Sequence, residues 1–75
     1  MNKNLDYYMS LHYQTTLAWD EDNEWIARHP ELDGCIGDGA TEEEAIASLR
    51  ISKKLWLMTA LDQNLPIPEP IGEAL

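Results

Sequence analysis

Seventy-five residues allow one small domain, of a size that buries only about 60% of the surface its unfolded chain exposes, so self-association into a dimer or tetramer is expected to add buried area. Fourteen acidic residues against five basic ones leave a net charge of -9 and a pI near 4.3, a field that repels nucleic acid and anionic membranes and draws in basic proteins. Cys35 is the single cysteine, which excludes an internal disulfide; with no signal-like apolar run and no span-length apolar stretch, the expectation is a cytoplasmic protein in a reducing compartment.

The first segment satisfies two patterns. Leu5, Tyr8 and Met9 recur at helical spacing, whereas Tyr7, Met9, Leu11 and Tyr13 alternate as a strand would; a short helix from about Asn4 to Ser10 is the favoured reading. Over residues 12–20 the alternation is that of a strand, with Tyr13, Thr15, Leu17 and Trp19 on one face and Gln14, Thr16 and Asp20 on the other. The polar run "DEDNE", Asp20 to Glu24, turns the chain into a second strand over 24–29, so the two form an antiparallel hairpin. Pro30 ends that strand, Asp33-Gly34 makes a turn, and a short third strand follows over 35–38.

Thr41 and Glu44 match a capping box, in which the Thr41 hydroxyl accepts from a backbone N–H of the first turn and Glu44 reaches back to the N–H of Thr41. A helix is therefore predicted from Glu42 to about Gln63, ended by the Pro66 that forces Leu65 out of helical geometry, and followed by an extended tail from Leu65 to Pro70. Ala45, Ile46, Leu49, Trp56, Leu57 and Ala60 form one apolar arc, wide enough to cover a sheet. Ile51, Leu55 and Met58 lie on a different side of this helix and are read as the self-association surface.

The chemical candidates are weak. Gly34, Gly37 and Gly39 precede a helix N-terminus, but Asp38, Glu42, Glu43 and Glu44 would repel a phosphate there, and the spacing fits neither a P-loop nor a dinucleotide fingerprint. Gly34 and Gly39 are read instead as turning the chain. Cys35 has no cationic neighbour in sequence to activate its thiol and reads as a core residue. His12 and His29 have no recognisable third group to orient them as bases, and "DEDNE" lacks the glycine and distant Glu of a calcium loop. No catalytic residue, cofactor motif or metal-ligand spacing is found, and the chain is expected not to be an enzyme.

The segment "WDEDNEWIARHPELDGCIGDGATEEEAI", the long helix and the closing "PIPEP" together resemble the HicB-like antitoxin family of bacterial toxin–antitoxin pairs. The likeness runs from Trp19 to Pro70. It is carried most specifically by Pro30, Glu31, Leu32, Gly34, Cys35, Gly39, Thr41, Glu43, Glu44 and Ala45, and by Pro66 to Pro70. The resemblance implies an α+β domain with a partial ribonuclease H-like fold, a three-stranded antiparallel sheet covered by one long helix. It also implies a partner, a small basic HicA-like toxin that cleaves mRNA with a histidine, bound and occluded by this chain without catalysis. Asp33 stands where the family usually has proline, and an appended DNA-binding domain, common in the family, is not expected within these 75 residues. The expected toxin contacts are Asp20, Glu21, Asp22 and Glu24 with the tail residues Pro66, Pro68 and Glu69. The rival readings are an oligomeric structural or interaction protein without a toxin and, further off, a metal-dependent nuclease relative whose carboxylates would have to converge from separate strands.

Overall fold

The structure is a computed structural model and describes residues 3–70. In chain order it comprises α1 (Leu5–Met9), β1 (Thr16–Asp20), β2 (Glu24–Arg28), β3 (Ile36–Gly39) and α2 (Glu42–Asp62). The three strands form one antiparallel sheet in the order β1-β2-β3, and α2 packs on one face of it, chiefly over β3 and then β2. This is the α+β architecture that the strand and helix patterns imply.

The ambiguous N-terminal segment is helical. Asn4 caps it by accepting from the Tyr7 N–H at 3.0 Å, which satisfies one of the unpaired donors of a first helical turn. Strand pairing begins at Thr16 rather than at residue 12, because the backbone before it is claimed by side chains. The Gln14 N–H donates to Glu31 Oε2 at 3.1 Å, and the Gln14 carbonyl accepts from His29 Nδ1 at 2.8 Å. A carbonyl can only accept, so the His29 proton sits on Nδ1. With the ladder displaced by these two bonds, His29 lies beyond the end of β2, buried as a structural clamp.

Between β1 and β2 the turn is three residues long, with Asn23 in the left-handed region at φ 64° and its N–H donating to the Asp20 carbonyl at 3.0 Å. That geometry matches strand twist and sets Asp20 opposite Glu24, Trp19 opposite Trp25 and Leu17 opposite Ala27. The third strand is shifted one residue from its expected place, with Gly37 opposite Ala27 and Gly39 opposite Trp25. Cross-strand partners share a face, so Leu17, Trp19, Trp25, Ala27, Gly37 and Gly39 all lie on the side that receives the helix.

The two strand glycines make that approach possible. A β-carbon on Gly37 would run into the Leu49 backbone N and stand 2.7 Å from the Ala45 carbonyl oxygen, and one on Gly39 would stand 2.5 Å from Glu44 Cβ. Gly39 therefore does not turn the chain as its sequence context suggests; it admits the first turn of α2. Gly34 does turn it, at φ 81° with open space around its α-carbon.

The capping box forms with one change. Thr41 Oγ1 accepts from the Glu44 N–H at 3.1 Å, but the Glu44 carboxylate reaches one residue further back, to the Ala40 N–H at 3.0 Å. At the other end Asn64, at φ 55°, stands in the left-handed position just past the Gln63 cap. The Leu65 N–H bonds the Ala60 carbonyl at 2.8 Å and the Asn64 N–H bonds the Leu61 carbonyl at 3.3 Å. This paired closure, not Pro66 alone, stops the helix.

Tyr13, Ala27, Leu32, Cys35, Ala45 and Leu49 form the buried cluster, with Leu11, Trp25, Trp56 and Ile67 packed against it. From the predicted arc, Ala45, Leu49, Leu57 and Ala60 are buried, while Ile46 is 45% exposed. The reason is lateral: α2 lies over β3 and β2, so the flank carrying Ile46 overhangs the uncovered side of the sheet near Thr15 and Met9. Lys53 occupies the face in its place, its ammonium 5.2 Å from the Tyr13 ring and within 3.4 to 3.5 Å of the Leu11 and Met9 carbonyls. Among the described residues no helix is long and apolar enough to cross a membrane.

The close approach at Gly37 yields a stability prediction. Both obstructing atoms in Gly37→Ala are helix main chain and cannot rotate aside, so a cost of about 3 kcal/mol or more is expected, a large share of the ~5–15 kcal/mol typical of a domain. Thermal unfolding should show a Tm lowered by roughly 12 °C or more. Gly34→Ala, strained in backbone but unobstructed, should cost only about 1 kcal/mol.

Candidate functional site

Charge on this protein is sorted by the fold. The hairpin turn places Asp20, Glu21, Asp22 and Glu24 at one end of the sheet, and the β3 register brings Asp38 beside Glu24. Gly39 then delivers the start of α2 to the same end, adding Glu42, Glu43 and Glu44. Eight of the fourteen acidic residues of the chain thus gather at one pole, whereas Lys3, Arg28, Arg50, Lys53 and Lys54, all five basic residues, lie elsewhere.

These carboxylates repel one another. Lost hydration first, and then the neighbouring Asp38, Asp20 and Asp22, push the Glu24 carboxyl above its ordinary range. Glu44 is committed to the helix cap, and the Glu42 and Glu43 side chains stand exposed where the helix dipole favours negative charge. Among the described residues no three His, Cys, Asp or Glu side chains are grouped so as to hold a metal ion. The pole presents a field, and what it can do chemically is receive cations carried by a partner.

The tail lies at the opposite end. After α2 the chain doubles onto α1 and the segment before β1, where the Tyr13 hydroxyl donates to the Pro68 carbonyl at 2.6 Å and Ile67 packs against the core. Glu69 accepts from Lys3 Nζ at 2.8 Å and from the Tyr7 hydroxyl at 3.0 Å, and these two donors, Lys3 foremost, hold its carboxyl below the usual range. Tyr13 precedes β1 and Asp20 ends it, so the five-residue strand, roughly 16 Å long at the rise of a strand, lies between them. Asp20 to Glu24 and Pro66 to Glu69 are therefore not one surface, and the polar groups of Pro68 and Glu69 are engaged within the chain.

Ile51, Leu55 and Met58 are exposed along the outer side of α2. Leu55 also borders an open apolar groove of about 400 Å³, floored by Cys35, Trp56 and Ala60 and edged by Gly34 and Leu65. The Trp56 indole N–H donates to the Asp33 carbonyl at 2.8 Å, which ties the turn after Pro30 to the helix. Cys35 is buried at the floor of the groove, and burial pushes its thiol up, away from nucleophilic use.

A tryptophan pair is not apparent from the linear pattern. Trp19 and Trp25 meet edge to face across the hairpin, ring centroids 5.5 Å apart, and Trp19 with Leu17 remains exposed on the helix side of β1 because α2 does not extend that far. The alternation in the sequence puts each tryptophan on a strand face; only the three-residue turn makes them cross-strand neighbours.

No family model matches the chain. It is similar to the UPF0150 protein ssl0259 of Synechocystis, with 43% identity over 44 residues, 59% of this chain and 60% of that protein. The chain thus spans less than two thirds of that relative's length. It is also similar to the UPF0150 protein Ta0767 of Thermoplasma acidophilum, with 25% identity over 87% of this chain and 94% of that one. Among solved structures, that of TTHA0281 from Thermus thermophilus superposes with a TM-score of 0.71 at 26% identity, covering 92% of this chain and 82% of that one.

The tail clasp is testable by pH and by mutation. Burial, with smaller contributions from nearby carboxylates and phenols, pushes the Tyr13 hydroxyl up to about 12, against an ordinary value of about 10. Between those values the folded state keeps a proton that the unfolded state releases, so the clasp's contribution is full below pH ~10 and declines as pH rises toward 12. Glu69 has the opposite sign: its contribution is present above the ordinary carboxylate range and is lost as pH falls through its lowered value. Tyr13→Phe should cost about 1 kcal/mol and speed hydrogen exchange and proteolysis around residues 65–70, leaving the hairpin unaffected.

Proposed function

We propose that this chain is a HicB-like antitoxin, a non-enzymatic cytoplasmic protein that binds a small basic HicA-type mRNA-cleaving toxin and occludes its catalytic surface. The observation that carries this reading is the acidic pole. Its carboxylates come from the hairpin turn, β3 and the start of α2, and among the described residues they stand without basic neighbours at that end of the fold. Lost hydration and then the neighbouring carboxylates raise the Glu24 carboxyl, and the repulsive part is relieved when a partner brings lysine or arginine to the pole, so association removes an unfavourable interaction as well as adding a favourable one. A basic ribonuclease needs its cationic surface to hold RNA, and a protein that neutralises that surface competes directly with the substrate.

Asp20, Glu21, Asp22 and Glu24 are the principal contacts in this account. Pro66, Pro68 and Glu69 act at a distance, by closing the opposite end of the fold. The exposed stripe Ile51, Leu55 and Met58 offers a helix-to-helix contact between copies of the chain. Relatives named only as UPF0150 proteins are compatible with this role and with that of an interaction protein without a toxin.

The experiment is co-purification from the native host at moderate salt, followed by an RNA cleavage assay on any small basic protein recovered. A near-equimolar basic partner whose cleavage stops on adding this chain supports the proposal; recovery of the chain alone, as a defined oligomer, rejects it in favour of the interaction protein. Within a complex, reversing Glu21, Asp22 and Glu24 to lysine should weaken binding by about tenfold or more, chiefly through slower association, and flatten its salt dependence. Unchanged affinity removes the acidic turn from the interface.

A further inference from the structure

The two edges of the sheet are treated differently. The outer edge of β3 is covered by α2, and the Asp38 N–H there donates to Ser48 Oγ at 3.2 Å. Nothing among the described residues covers β1. Alternation in antiparallel pairing points every second N–H and C=O of β1 away from β2, and the strand "TLAWD" carries no lysine, proline or bulge to discourage pairing. On its helix side it exposes Leu17 at 37% and Trp19 at 54%, the largest aromatic surface in the described chain left outside the core.

From this edge we infer that β1 pairs antiparallel with β1 of a second copy of the chain, about a twofold axis through Ala18, forming a continuous six-stranded sheet. The strand is self-complementary in that register. Centring on Ala18 aligns all five residues of Thr16–Asp20, with Leu17 opposite Trp19 of the second copy and Trp19 opposite its Leu17. A twofold axis perpendicular to the sheet keeps both α2 helices on the same side. The two Leu17–Trp19 pairs then fill the valley between them, the strip that α2 leaves open in each copy.

Charge selects the same arrangement. On the other face, Arg28 lies beside Thr16, and Asp20 lies beside Glu24. Pairing Thr16 with Asp20 of the second copy lines up Arg28, Thr16, Asp20 and Glu24 across the new junction, an arginine at one end and two carboxylates of the other chain facing it. Within one chain Arg28 and Asp20 are at opposite ends of the hairpin, and among the described residues Arg28 makes no ion pair. The two acidic turns point away from each other, so a chain of charge -9 can dimerise here without bringing its poles together. A parallel arrangement would place both acidic turns side by side.

The test measures the mass of the full chain in solution by light scattering and sedimentation across a concentration series. Wild type is expected to assemble, and Leu17→Lys, which sets a charge against Trp19 of the other copy, is expected to halve the assembly's mass. Arg28→Glu should move the association midpoint to about tenfold higher concentration, and adding Asp20→Arg to it should restore assembly, since the swapped charges meet only between chains. The double variant keeps the test decisive if a single change unfolds the protein. A monomeric wild type overturns the inference, as does an assembly that survives Leu17→Lys intact or is dissolved by Leu55→Lys alone. Because the readout is the mass of the isolated chain, it stands or falls separately from the toxin.

Discussion

The seating of α2 on β3 governs the rest of this molecule. On the helix side β3 presents only Gly37 and Gly39, β2 presents Ala27 beside the partly buried Trp25, and β1 presents Leu17 and Trp19. A helix approaches a sheet most closely where side chains are absent, and Leu49 and Ala45 settle onto the Gly37 backbone at a distance that no β-carbon would allow. The bulky strand is left outside. One steric fact therefore sets which core residues are buried, why Ile46 and Trp19 are not, and where the helix begins relative to the hairpin.

Where the helix begins decides the electrostatics. Had α2 started from the other end of the sheet, its three N-terminal glutamates would have been distant from the hairpin turn, and the acidic residues would have been spread over the surface. Instead the short link from Gly39 to the Thr41 cap delivers them to the turn, where lost hydration and then the adjacent Asp38, Asp20 and Asp22 already raise Glu24. Such a site is costly to leave unpaired and is relieved by a cationic partner, which connects helix packing to the proposed binding role. At the opposite end the chain closes on itself with polar contacts of another kind: the phenols of Tyr13 and Tyr7, the Lys3–Glu69 ion pair, and Lys53 over an aromatic ring beneath α1.

Local chemistry was legible in the sequence wherever one residue type had a single structural use. Thr41 and Glu44 mark the helix start, Asp33-Gly34 marks a turn, the alternation through Leu17 and Trp19 marks a strand face, and Cys35 without a cationic neighbour in sequence marks a buried thiol. Boundaries were less legible where side chains compete with backbone pairing. Glu31 and His29 take the Gln14 peptide groups from the ladder, and Asn64 closes the helix before Pro66 is reached. Neither competition is visible until distant residues meet.

The candidate surface divides in the same way. The sequence by itself determined the element types, the net charge of -9 and the acidic composition of the turn and helix start, because these depend on residue identity and on neighbours a few positions apart. Only the tertiary structure decided that those acids form one pole, that Pro68 and Glu69 lie at the other end, and that Trp19 stands open on an unpaired strand. Those outcomes follow from where a 21-residue helix comes to rest on a three-stranded sheet, and that is fixed by the space above two glycines rather than by any pattern along the chain.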